Sequence, residues 1–74
     1  MVKPTRVTNS IRALRFARGE MTQAELADLI GVTRQTVIAI EQGRYSPSLE
    51  VAFQIARVLK VPLDDVFQYP EGEA

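Results

Sequence analysis

A chain of 74 residues holds one domain, with no room for a separate effector or catalytic module. It contains neither cysteine nor histidine, which removes disulfides, thiol nucleophiles, imidazole bases and the common transition-metal sites together. Nine basic side chains balance nine acidic ones, yet unevenly: seven cations face four carboxylates up to Arg44, and two face five from Tyr45 onward. Such polarity can orient a molecule on a polyanion without any net charge.

The first eight residues carry Lys3 and Arg6 but no apolar core of a secretory signal. No apolar run approaches the ~20 residues that span a membrane. A cytoplasmic protein is expected, with no cofactor, no metal, no membrane association and no small-molecule effector. The chain divides into an arm, 1–8, a helical domain, 9–69, and a frayed tail, 70–74. Two roles are open to the arm. Lys3 and Arg6 can meet a polyanion, or the segment can pair as a short strand with residues near Tyr69.

The first helix is predicted from about Ser10 to Arg18, with Asn9 as its N-cap and Gly19 as its stop. Ile11, Leu14 and the Ala17/Arg18 stem follow helical spacing, while Arg12, Arg15 and Arg18 recur at intervals of three. The second helix begins with a capping box. In Thr22-Gln23-Ala24-Glu25 the Thr22 hydroxyl accepts from the Glu25 amide and the Glu25 carboxylate reaches back. Met21 can staple onto Leu26, and Leu26, Leu29 and Ile30 form the expected apolar stripe. Gly31 ends that helix with a positive φ.

Only Gly31 and Val32 precede Thr33, which caps a third helix running from Arg34 to about Gln42 and stopped by Gly43. Val37 and Ile40 are its inward residues, which leaves Arg34, Gln35, Ile38 and Ala39 outward. A loop leads to a fourth helix, Ser48 to Leu59. It is apolar on more than one face, through Leu49, Val51, Ala52, Phe53, Ile55, Ala56, Val58 and Leu59. Such a face is either deeply buried or covered by a second copy, and Val51, Val58, Phe67 and Tyr69 are candidates for either role. Pro62 opens a short fifth helix, Leu63 to about Phe67, with Asp64 and Asp65 where negative charge suits the helix dipole. As adjacent residues these two carboxylates face different ways, so they form no acid–base pair.

Two short helices joined by a glycine turn are the frame in which one helix crosses a phosphate backbone and the next enters a major groove. The residue types suit that task. Arg34 can donate twice to guanine O6 and N7, Gln35 can pair with adenine N6 and N7, and Ile38 and Ala39 offer apolar surface to a thymine methyl. The free amides near Thr22 and Gln23 can hold a phosphate. On caps and periodicity alone, purely structural helices come ahead of DNA binding as the reading of this pattern. Arg12, Arg18 and Lys60 read most simply as solvated charges.

The segments TQAELA, GVTRQTV and IEQGRYSPS, in this order and spacing, resemble the Cro/C1-type (Xre-like) helix-turn-helix domain of bacterial and phage repressors. With NSIRALRFARG before them, the resemblance covers residues 9 to 67. It implies an all-α, five-helix, lambda-repressor-like fold, with short terminal strands as an optional addition, in a compact homodimeric regulator without a ligand domain. It further implies base contacts from Arg34, Gln35, Ile38 and Ala39, and phosphate contacts from Gln23, Thr33, Thr36, Arg44 and Tyr45 of double-stranded DNA. The same resemblance implies an ion pair between Arg15 and Glu41. Gly19-Glu20-Met21 is one residue longer than the common first turn of that family. Two other classes stand beside this reading. One is a protein-interaction module, such as the antitoxin partner of a toxin. The other is a small enzyme, against which the missing histidine and cysteine weigh heavily.

Overall fold

The computed structural model describes residues 5–70. Lys3 and residues 71–74 of the expected tail lie outside this range. Chain order is β1 (Thr8–Asn9), α1 (Ile11–Ala17), α2 (Gln23–Ile30), α3 (Arg34–Glu41), α4 (Leu49–Leu59), α5 (Leu63–Val66) and β2 (Phe67–Gln68). The two terminal strands pair antiparallel, Thr8 with Gln68 and Asn9 with Phe67. The Ser10 amide extends that ladder to the Val66 carbonyl at 2.9 Å. The fold is therefore the all-α, five-helix arrangement with a small two-stranded closure between its ends.

Helix starts follow the local chemistry. Thr22 forms the full capping box: its hydroxyl accepts from the Glu25 amide at 3.0 Å and its amide donates to the Glu25 carboxylate at 2.7 Å. Thr33 and Ser48 cap α3 and α4 by accepting from the amides of Thr36 and Val51. Gly31 takes φ +75° at the α2 end, a conformation that any side chain would strain. At α1 the cap position belongs to Ser10, whose side chain makes no capping bond. Asn9 serves the helix from one residue earlier, its side-chain oxygen accepting from the Ile11 amide at 3.2 Å. The reason is that Asn9 is itself held in β1, so the helix cannot begin until the strand has ended.

The long first turn is absorbed by two consecutive left-handed residues, Gly19 (φ +77°) and Glu20 (φ +59°). They return the Glu20 amide to the Phe16 carbonyl and the Met21 amide to the Arg15 carbonyl, which closes the end of α1.

One core joins all five helices: Ile11 from α1, Leu26, Ala27 and Ile30 from α2, Val37 and Ile40 from α3, Ile55, Ala56 and Leu59 from α4, and Val66 from α5. The expected α2 stripe needs correction. Leu29 is 61% exposed, and Ala27 takes its place inside. Positions 26, 27 and 30 share the inner face, and position 29 falls beyond its edge. Phe67 likewise leaves α5 and enters β2, half-buried against the core. On α3, Val37 and Ile40 are each 2% exposed. Burial of a side chain of this kind contributes about 1.5–3 kcal/mol, enough to fix the rotation of a two-turn helix about its axis.

Candidate nucleic-acid interface

That rotation decides what α3 presents. With Val37 and Ile40 inward, Arg34 and Gln35 stand exposed at the helix start, directly after the Thr33 cap. Two long side chains with directed hydrogen-bond arrays thus sit on the end of a helix whose opposite face is locked into the core. Ile38 and Ala39 are half-buried and lie one turn further on. Thr33 and Thr36 hold each other hydroxyl to hydroxyl at 3.0 Å. The Thr36 amide already donates to the Thr33 hydroxyl at 3.1 Å and one hydroxyl donates to the other, so one hydroxyl proton of the pair remains for an outside acceptor. Past α3, Gly43 adopts φ +73° and the Arg44 amide returns to the Ala39 carbonyl, which leaves the side chains of Arg44 and Tyr45 exposed beside the helix end.

The base of α3 is fastened to α1. Arg15, 6% exposed, donates from Nε to Glu41 Oε2 at 2.7 Å and from Nη2 to Glu41 Oε1 at 3.1 Å. Its Nη1 donates to the Met21 carbonyl at 2.7 Å. Gln23, the first residue of α2, gives its side-chain amide to Glu41 Oε1 at 3.2 Å. One carboxylate thereby ties together α1, the start of α2 and the end of α3. For Gln23 this has a consequence: its amide nitrogen is engaged within the protein, and what it offers outward is its backbone N–H in the first turn of α2, where free amides and the helix dipole favour an anion. Asn9 adds a second tie, its side-chain nitrogen donating to the Ile40 carbonyl at 3.0 Å.

These elements border one open groove of about 1120 Å³. Thr22 and Gln23 at the start of α2, Arg34 of α3, and Arg12 and Phe16 of α1 all line it. The Arg15–Glu41 pair lies in its wall. Spacing at intervals of three gives Arg12 no direction, so its place beside Phe16 in this groove follows only from how α1 packs. Of the residues considered as a surface for a second copy, Val51, Val58 and Phe67 are half-buried against the core. Tyr69 is 64% exposed, with the Arg6 guanidinium 5.7 Å from its ring centre. Among the described residues no group of acidic side chains suits a metal ion, and no helix is long and apolar enough to cross a membrane.

A helix-turn-helix with an exposed, polar second helix defines a class of DNA-binding domains, and comparison with known proteins places the chain within that class. The helix-turn-helix family model matches residues 11–66, and the chain belongs to this Cro/C1-type family of DNA-binding transcriptional regulators, not to the enzymes. It is 51% identical over 53 residues to an uncharacterized HTH-type transcriptional regulator, MJ0272, of Methanocaldococcus jannaschii, covering 72% of this chain and 80% of that one. It is 37% identical over 59 residues to the cryptic phage CTXphi transcriptional repressor RstR of Vibrio cholerae, covering 80% of this chain but only 52% of the repressor. In three dimensions it resembles the crystal structure of a candidate DNA-binding protein from Bacteroides fragilis, with a TM-score of 0.73 at 22% identity over 84% of this chain and 98% of that one. At that identity the likeness speaks for the fold alone.

Proposed function

We propose that the protein acts as a homodimeric repressor that reads a short inverted repeat in double-stranded DNA, with α3 in the major groove. The observation that carries this reading is the placement of Arg34 and Gln35 at the exposed start of a helix anchored by Val37, Ile40 and the Glu41–Arg15 pair. Base reading needs such rigidity, because a bidentate arginine–guanine contact tolerates little error in position. In this account Arg34 and Gln35 contact base edges, and the exposed edges of Ile38 and Ala39 meet thymine methyls. The Gln23 backbone N–H, the Thr33–Thr36 hydroxyl pair, Arg44 and Tyr45 hold phosphates on either side.

A two-fold axis between two copies puts two recognition helices into successive major grooves about 34 Å apart, which is why the site is an inverted repeat. Tyr69, and the outer edges of Val51, Val58 and Phe67, are the surface offered to the second copy. Repression follows from occupancy of the duplex, in the cytoplasm, and the named repressor among the relatives supports that sign. The test is selection of bound duplexes from a random-sequence pool at near-physiological salt. Enrichment of an inverted repeat is the expected result. A folded protein that enriches no sequence would overturn the proposal and turn attention to a protein partner.

A further inference from the structure

We infer that the DNA interface extends beyond the two helices of the motif to α1, where Arg12, in the lining of the same groove, is a phosphate ligand. This rests on the DNA-binding reading above and adds a residue to it. Three observations carry it. First, Arg12 lines the same groove as the start of α2 and Arg34, so it lies in the recess that a phosphate held at the α2 start would border. Second, the more obvious cation in that lining is already spent. All three guanidinium nitrogens of Arg15 are engaged, two with Glu41 and one with the Met21 carbonyl, and its charge is neutralised within the protein. Third, Arg12 is exposed and, among the described residues, forms no ion pair. Its guanidinium lies 5.8 Å from the ring centre of Phe16, one turn along the same helix. Phe16 is 52% exposed, which costs burial but gives Arg12 an apolar face to rest on. The same ring lies 5.8 Å from the Arg15 guanidinium, and a cation held beside an aromatic face keeps N–H groups free for a phosphate and loses less freedom on binding than an unrestrained one.

One group in the groove opposes this. Glu20, held in the left-handed turn after α1, borders it as well and repels a phosphate drawn there. The two residues therefore make opposite predictions, which a merely solvated pair would not.

The experiment is the salt dependence of binding to the selected duplex and to an unrelated one, measured by fluorescence anisotropy between about 50 and 200 mM salt. It compares the wild type with Arg12→Gln, Glu20→Gln and, as a control outside the groove, Arg18→Gln. Each phosphate neutralised contributes a slope of about 0.9 in log K against log salt. Arg12→Gln should therefore make the slope shallower by about one. The fourfold rise in salt should then cost it about 3.5-fold less affinity than it costs the wild type, equally on specific and unrelated sequences. Glu20→Gln should tighten binding, and Arg18→Gln should leave the slope unchanged. Circular dichroism checks that each variant is folded. A folded Arg12→Gln with the wild-type slope refutes the α1 contact while leaving the DNA reading intact. A wild-type protein with no salt-dependent binding to any duplex refutes both.

Discussion

Removal of Glu41 is the perturbation whose size the structure determines best. The Arg15 and Glu41 side chains are 8% and 9% exposed, and Nε and Oε2 meet at 2.7 Å in a bidentate pair. In Glu41→Ala, Arg15 keeps only its bond to the Met21 carbonyl, Gln23 loses its acceptor, and a cation is left nearly out of water. Breaking a buried pair from one side costs about 3–5 kcal/mol. The groove beside the pair admits some water, so the loss belongs at the lower end, about 3 kcal/mol. In a domain of this size that corresponds to a fall in Tm of about 12–24 °C. Substituting both partners, Arg15→Met with Glu41→Leu, removes the stranded charge and should restore stability to within about 1 kcal/mol of the wild type, since apolar replacement of a buried pair is often neutral. Urea unfolding followed by circular dichroism gives all the values, with a constant m confirming that the same transition is compared. A loss below about 1 kcal/mol in Glu41→Ala, or a double variant as unstable as the two single changes added together, would refute the reasoning.

Three further outcomes follow from the same geometry. Arg34→Ala should cost about 1–3 kcal/mol on the selected site and relax preference at one base pair, so equal loss on every sequence in a competition assay would remove it from the base-reading set. Arg44→Ala should weaken binding uniformly and make the salt slope shallower by about one; an unchanged slope would take Arg44 off the phosphates. Thr22→Ala removes the hydroxyl half of the α2 capping box and should lower unfolding free energy by about 1 kcal/mol, read from the urea midpoint, whereas no change would mean that water caps the helix as well.

The parts of the fold that were legible in the sequence were those written in local chemistry. Thr22 with Glu25, Thr33 before Arg34, and Gly31 with its positive φ each carry their instruction within three residues, and the helix boundaries follow from them. The direction of α3 was legible too, because Val37 and Ile40 are its only pair of large residues at inward spacing. Features decided by packing between distant segments were harder to read. Leu29 looks internal to any count that weighs residues by size, yet α2 is rotated so that the small Ala27 is inside, and no local signal marks that. Asn9 suggests a helix cap, but its position is decided by Phe67, far along the chain, and its amide goes to Ile40. The candidate site shows the same division. Arg34 and Gln35 could be chosen by chemistry and place, whereas the commitment of the Gln23 amide to Glu41, and the approach of Arg12 to the same groove, depend on how α1 lies against α2 and α3.

Entry of α3 into the major groove of a two-fold site can be read by methylation interference on the selected duplex. Methyl groups on guanine N7 obstruct the major groove, and those on adenine N3 obstruct the minor groove. Interference is expected at guanine N7 in two clusters related by two-fold symmetry and about 34 Å apart, one turn of the duplex, with none at adenine N3. Interference confined to adenine N3, or a single cluster with no symmetry mate, would contradict major-groove entry at a two-fold site.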